Sequence, residues 1–246
     1  MARGLATKSR FAVAYLVLGA LIGTGVGGFI VLLQRPSPQP GPPWSSWKPG
    51  ATSLSTRVLE IAQHVSDAYR LPSGDPLVAV KVSSKQSGPN IQGVVVVKKD
   101  DPKALDKQYA KDNTAVYILC GAGKTCAMNQ GSPGIVHGTV LRREALELAL
   151  FTLEYAHPID NVLIFFPPAN GQSKLSSTLF LRRDDVSGSL KHPLRKTLPQ
   201  SPAPLPGRIA PTEKKTVDDL TGTKLFNYLG IAQNIIVIQP ANGPTF

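Results

Sequence analysis

At 246 residues the chain is long enough for one or two domains, and its 42% of apolar side chains is ample for a hydrophobic core. Its formal net charge is +11; Arg3, Lys8 and Arg10 supply three of these charges before residue 33, leaving +8 on the rest. The basic residues are scattered among acids and not interleaved with aromatics, which argues against nucleic acid as a partner. The charge is read as keeping a domain soluble, with attraction to anionic lipid headgroups or wall polymers as the alternative.

From Phe11 to Leu33 no residue is charged. A bilayer core asks for about 20 apolar residues in a helix, so this run predicts a transmembrane helix at 11–33 after a cytoplasmic tail at 1–10. A cleaved signal peptide would have a shorter apolar stretch of about 7–15 residues and a small-x-small cleavage site. Here the run closes on Phe29-Ile30-Val31-Leu32-Leu33 and no Ala-x-Ala follows, so an uncleaved signal anchor in the cell membrane is expected. Arg3, Lys8 and Arg10 before the helix outweigh Arg35 and Lys48 after it, which puts the N-terminus inside and the rest of the chain outside. Gly19, Gly23 and Gly27 recur every fourth residue, with Ala20, Thr24 and Gly28 in a parallel row. Such rows let backbones approach closely in the lipid bilayer, so they are candidates for self-association or for packing against a protein partner. Glycine is also common in membrane helices for no such reason.

Residues 34–50 form a Pro-rich linker that cannot join a sheet interior. Trp44 and Trp47 within it are placed either at the headgroup level or against the domain. The domain itself is expected over 51–246. A helix capped by Ser53 or Ser55 runs to about Arg70, with Leu54, Val58, Ile61, Val65 and Tyr69 as its apolar stripe. Strands are expected at Leu77–Val82 and Ile91–Lys98, a loop or short helix at Lys99–Asn113, and a buried strand at Thr114–Cys120. The clearest element is a helix from Leu141 to about Ala156. It is apolar around most of its circumference and therefore central, with Arg143, Glu147 and Glu154 on a narrow polar stripe. Strands at Val162–Phe166 and Thr178–Arg182, a Pro-rich stretch at Leu198–Pro211, and a hairpin of Leu225–Leu229 with Ile235–Gln239 around Gly230 complete the order. The fold class that follows is α+β.

Cys120 and Cys126 are the only cysteines. Outside the cytoplasm a structural disulfide is the expectation, because a redox pair is normally Cys-x-x-Cys at the start of a helix, and AMNQGSPG after Cys126 breaks helices. Gly121-Ala122-Gly123-Lys124-Thr125 imitates a phosphate-binding loop, but Ile118 stands where the first glycine belongs. His64, His137, His157 and His192 show no metal-ligand spacing. His64 is read as a solvated residue beside Asp67, and His137 as part of a glycine-flanked loop. No G-x-S-x-G elbow occurs. Asp184-Asp185 beside Arg182-Arg183 reads as a solvated turn or an ion-pair cluster more readily than as a metal site. No catalytic, cofactor-binding or metal-ligating residue is therefore assigned, and no cofactor is expected.

The stretches YILCGAGKTC at 117–126, LRREALELALFTLEYA at 141–156 and LFLRRDDVSGSLKHPLRKTLP at 179–199, together with the anchor and GPPWSSWKPG, resemble a family of uncharacterised bacterial single-pass membrane proteins. The resemblance covers most of the chain and implies topology alone; it carries no activity, ligand or site residue. The leading functional expectation is a non-enzymatic envelope protein that binds a partner or organises a complex at the outer membrane face. The alternatives are an envelope hydrolase assembled from distant segments and a ligand-sensing ectodomain. A ten-residue tail is too short for an output domain, so a sensor would signal through a partner.

Overall fold

Helix α1 (Leu54–Ala68) begins where Ser53 caps it, its Oγ accepting from the Thr56 amide at 3.2 Å. Val58, Ile61, Ala62 and Val65 are buried along one side, as their spacing of three and four requires. The chain leaves through an extended Tyr69, and Gly74, at φ 88°, turns it back into strand β1 (Ala79–Val82).

The computed structural model describes residues 42–83, 91–123, 126–127, 135–169, 172 and 174–241. The expected cytoplasmic tail, the membrane helix at 11–33 with Gly19, Gly23 and Gly27, and the linker up to residue 41 lie outside the described residues. Among the described residues no helix is long and apolar enough to cross a membrane.

Strands β2 (Gly93–Val97), β3 (Leu105–Ala110), β4 (Thr114–Cys120), β5 (Asn161–Phe165), β6 (Ser177–Arg182), β7 (Leu225–Ala232) and β8 (Ile235–Pro240) join β1 in one sheet. Its order is β1-β4-β5-β6-β7-β8-β2-β3. The pairs β4–β5 and β2–β8 are parallel and the rest antiparallel, giving a mixed α/β domain. A parallel neighbour needs a long crossover, and helix α2 (Ile135–Tyr155) lies on the one from β4 to β5. Short helices α3 (Ser187–Leu190) and α4 (Leu194–Thr197) and then α5 (Pro211–Thr221) link β6 to β7.

Helix α2 is the centre expected of it. Leu146, Leu148, Ala149, Leu150 and Leu153 leave no exposed surface, because α1, α5 and the sheet surround them. The central strands are buried on both faces. Val162, Ile164, Leu179 and Leu181 face the helices, while Leu163, Phe165 and Phe180 enter a second core with Val94, Val96, Ile236 and Ile238.

That second core exists because the sheet curls. β3 stands four places from β6 in the order, which in a flat sheet means a separation of about 19 Å at the usual strand spacing. The rings of Tyr109 on β3 and Phe180 on β6 nevertheless lie 4.8 Å apart. The strands from β5 to β3 therefore wrap into a barrel-like trough with its own apolar filling. Close approach is required at Gly93, where a Cβ would stand 2.5 Å from the Tyr109 carbonyl oxygen.

Several expectations need correction. Lys99–Asn113, expected as a loop or short helix, ends in the short 3-10 helix Lys111–Asn113 but also holds β3; LDKQYA at the sheet margin is mostly exposed, so it shows no alternation to read. Helix α2 begins at Ile135, six residues before Leu141, and takes in His137, which the sequence assigns to a loop. Helix α5 directly follows the Pro-rich stretch, with Pro211 in the first helical turn, where a missing amide costs nothing. The β7–β8 hairpin turns at Gln233 (φ 50°) and Asn234 (φ 65°), the two positive-φ positions of a type I′ turn, and not at Gly230. Gly230, at φ 139°, instead sits at a bulge where the register slips after Tyr228.

Candidate functional site

The expected disulfide is present: Cys120 and Cys126 are bonded, with Cα atoms 4.3 Å apart. It closes a turn at the end of β4 in which the Gly121 amide donates to the Cys126 carbonyl at 3.0 Å and the Gly123 amide to the Ala127 carbonyl at 2.8 Å. The glycines of the phosphate-loop imitation thus belong to a cross-linked turn.

Of the Asp184-Asp185 doublet, Asp185 lies in an ion-pair cluster and Asp184 is exposed. Asp185 accepts from Arg182 at 2.8 Å and from Lys224 at 2.7 Å, while Arg183 reaches Asp160 at 2.7 Å. Burial alone would raise the Asp185 carboxyl, but the hydrogen bonds from Arg182 and Lys224 outweigh it and hold its pKa down at about 2. The four histidines are not brought together, and among the described residues no His/Cys/Asp/Glu group could hold a metal ion.

Of the two placements of the tryptophans, packing against the domain is the one observed. Trp44 lies edge-on to Phe151 at 5.4 Å and to Tyr155 at 5.6 Å, and Trp47 lies edge-on to Phe151 at 5.5 Å. Residues 43–50 thus form a strap across α1 and α2. Glu60 fixes its end by accepting from the amides of Gly50 at 2.8 Å and Ala51 at 3.0 Å. Arg57 donates to the carbonyls of Ala51 and Tyr155, each at 3.1 Å.

Between strap and helix opens a shallow groove of about 390 Å³, lined by Trp47, Gly50, Glu60, Gln63, His64 and Asp67. His64 is not simply solvated: its ring stacks on Trp47 at 3.8 Å, with the planes 6° apart, and meets the edge of Phe151 at 5.3 Å. Burial lowers its pKa, and the carboxylates of Glu147 and Asp67 only partly offset this, so the imidazole is neutral at pH 7. Asp67 accepts from Gln63 at 2.8 Å and pairs with Arg70 at 3.6 Å. The groove therefore combines an aromatic wall, an uncharged imidazole and two carboxylates oriented by their neighbours. That set suits a cationic group with an apolar body.

Behind the groove, Arg143 of the α2 polar stripe is buried and Glu147 is half-buried. Arg143 donates to Glu213 at 2.5 Å, to Glu147 at 2.9 Å, to the Gln200 carbonyl at 2.8 Å, and to the Tyr69 hydroxyl. Tyr69 passes its own proton toward Glu147 at 2.5 Å, and Glu213 accepts again from the Gln200 amide at 2.9 Å. This clasp ties the end of α1, α2 and α5 together. The sequence places Arg143 and Glu147 one turn apart on a helix that is apolar around most of its circumference, and that is the available signal. Comparison with protein-family models, curated proteins and solved structures found no match.

Proposed function

We propose that the chain is a membrane-anchored envelope protein whose extracytoplasmic domain is a binding or scaffolding module and not an enzyme. The anchor is the apolar run at 11–33, oriented by Arg3, Lys8 and Arg10, as in the bacterial single-pass proteins that the sequence resembles. The observation that carries the binding role is the groove, where the strap lays Trp47 on His64 beside Glu60 and Asp67. Both carboxylates are held by neighbouring donors, which fixes them as acceptors for a partner's lysine, arginine or amine.

A photo-crosslinking residue at position 63, on the groove lip, tests this in the full chain in its membrane. Discrete adducts with an envelope component that weaken in Asp67→Asn support the reading. Adducts that ignore this change, or none, contradict it.

A second reading, a ligand-sensing ectodomain, draws on the same stack. A ligand displacing His64 from Trp47 would act on the strap.

A further inference from the structure

Glu144 stands on α2 one turn before Glu147 and is fully buried. Among the described residues neither of its carboxylate oxygens has a hydrogen-bond partner. The clasp does not use it, although Arg143 is its neighbour in sequence: that guanidinium is taken by Glu213, Glu147, Tyr69 and the Gln200 carbonyl. The ionisable groups facing Glu144 are Glu147 on its own helix and Tyr69 at the end of α1; the first repels a second negative charge and the second is uncharged. A buried carboxylate with a like charge beside it and no donor is far costlier than a neutral acid. Burial, with Glu147 adding to it, raises the Glu144 pKa well above 4.5. Seven residues further along α2, two turns on the same side, Phe151 carries both Trp44 and Trp47.

We propose that Glu144 is a proton-operated latch between α1 and α2: with its proton the two helices close, and its loss parts them and frees the strap that bears Trp44 and Trp47. The sign follows from linkage. The folded domain keeps a proton that the unfolded chain releases near pH 4.5, so stability falls as pH rises from there until the folded-state value is passed. Over that window the folding constant drops about tenfold per pH unit relative to a side chain that cannot ionise. The lining of the groove contains Trp47 and His64, so the latch also governs whether the groove is formed.

The test uses the full chain in nanodiscs, comparing it with Glu144→Gln and, should the amide fold poorly, Glu144→Leu. Two readouts are followed from pH 5 to 10: the urea midpoint, and the emission of Trp44 and Trp47, the only tryptophans. The latch predicts that the midpoint of the unmodified chain falls with pH against that of the variant, and that an alkaline red shift in emission disappears in the variant. Midpoints that run parallel overturn the proposal. A pH-dependent difference in midpoint with no emission change also overturns it, because Glu144 would then affect stability without moving the strap.

Discussion

Arg143 shows how much a single side chain can be asked to hold. Burial works against its charge, but Tyr69, Glu147 and Glu213 around it more than compensate and raise its pKa. Five N–H donors in a rigid fork reach four acceptors on four segments, which a lysine's point charge could not do. Removing one member of a buried pair leaves the other charged and unpaired, so Arg143→Ala is expected to cost about 3–5 kcal/mol in urea unfolding. Lys215→Ala, which breaks an exposed pair with Asp219, is expected to cost less than about 1 kcal/mol. Equal, small losses would mean that the clasp is not what fixes α5. The Arg143–Glu147 spacing was readable in the sequence. Glu213 was not, because nothing local links two residues 70 positions apart. Glu144 is illegible for a similar reason: an acid in a mostly apolar helix reads as surface until its neighbours are known.

At the scale of elements, legibility followed local pattern. Thr114–Cys120 is a short, mostly apolar run with Thr, Val, Tyr and Ile and lies where the sequence predicts it, as does α1 behind its serine cap. β3 and α5 escaped because each is held by something outside itself, β3 by backbone pairing with β2 and α5 by Glu213 on Arg143. The hairpin departs from the sequence expectation because Gly230 supplies the bulge, while Gln233-Asn234 bends the chain. For the proposed membrane helix at 11–33, packing would supply the driving force in lipid, so a large side chain on the glycine row should separate two backbones with no compensating gain. Gly23→Leu is therefore expected to weaken association several-fold in a membrane association assay, with Gly23→Ala milder and Gly25→Leu, on the opposite face, nearly silent. If the Gly23 and Gly25 leucine variants associate like the unmodified helix, the rows are compositional and the anchor is a tether.

For the whole molecule, two apolar cores share one sheet: helices fill one face and the curl of the sheet itself fills the other. The first was foreseeable from the amphipathic pattern of α1 and the apolar circumference of α2. The second depends on β3 meeting β6 across the trough, a contact between strands remote in sheet order that no periodicity encodes. The groove has the same origin, since it needs a spacer tryptophan to find a histidine on α1. Its proposed role depends on the domain standing outside the cell on an uncleaved anchor, and this is tested most directly by topology. Paired reporters fused after Lys48, one active only outside the cytoplasm and one only within it, are compared in membranes, together with the N-terminal sequence of the full chain. The account predicts that only the outside reporter is active and that the N-terminus precedes Phe11. Activity of the cytoplasmic reporter alone, or a mature N-terminus beyond Leu33, would contradict it.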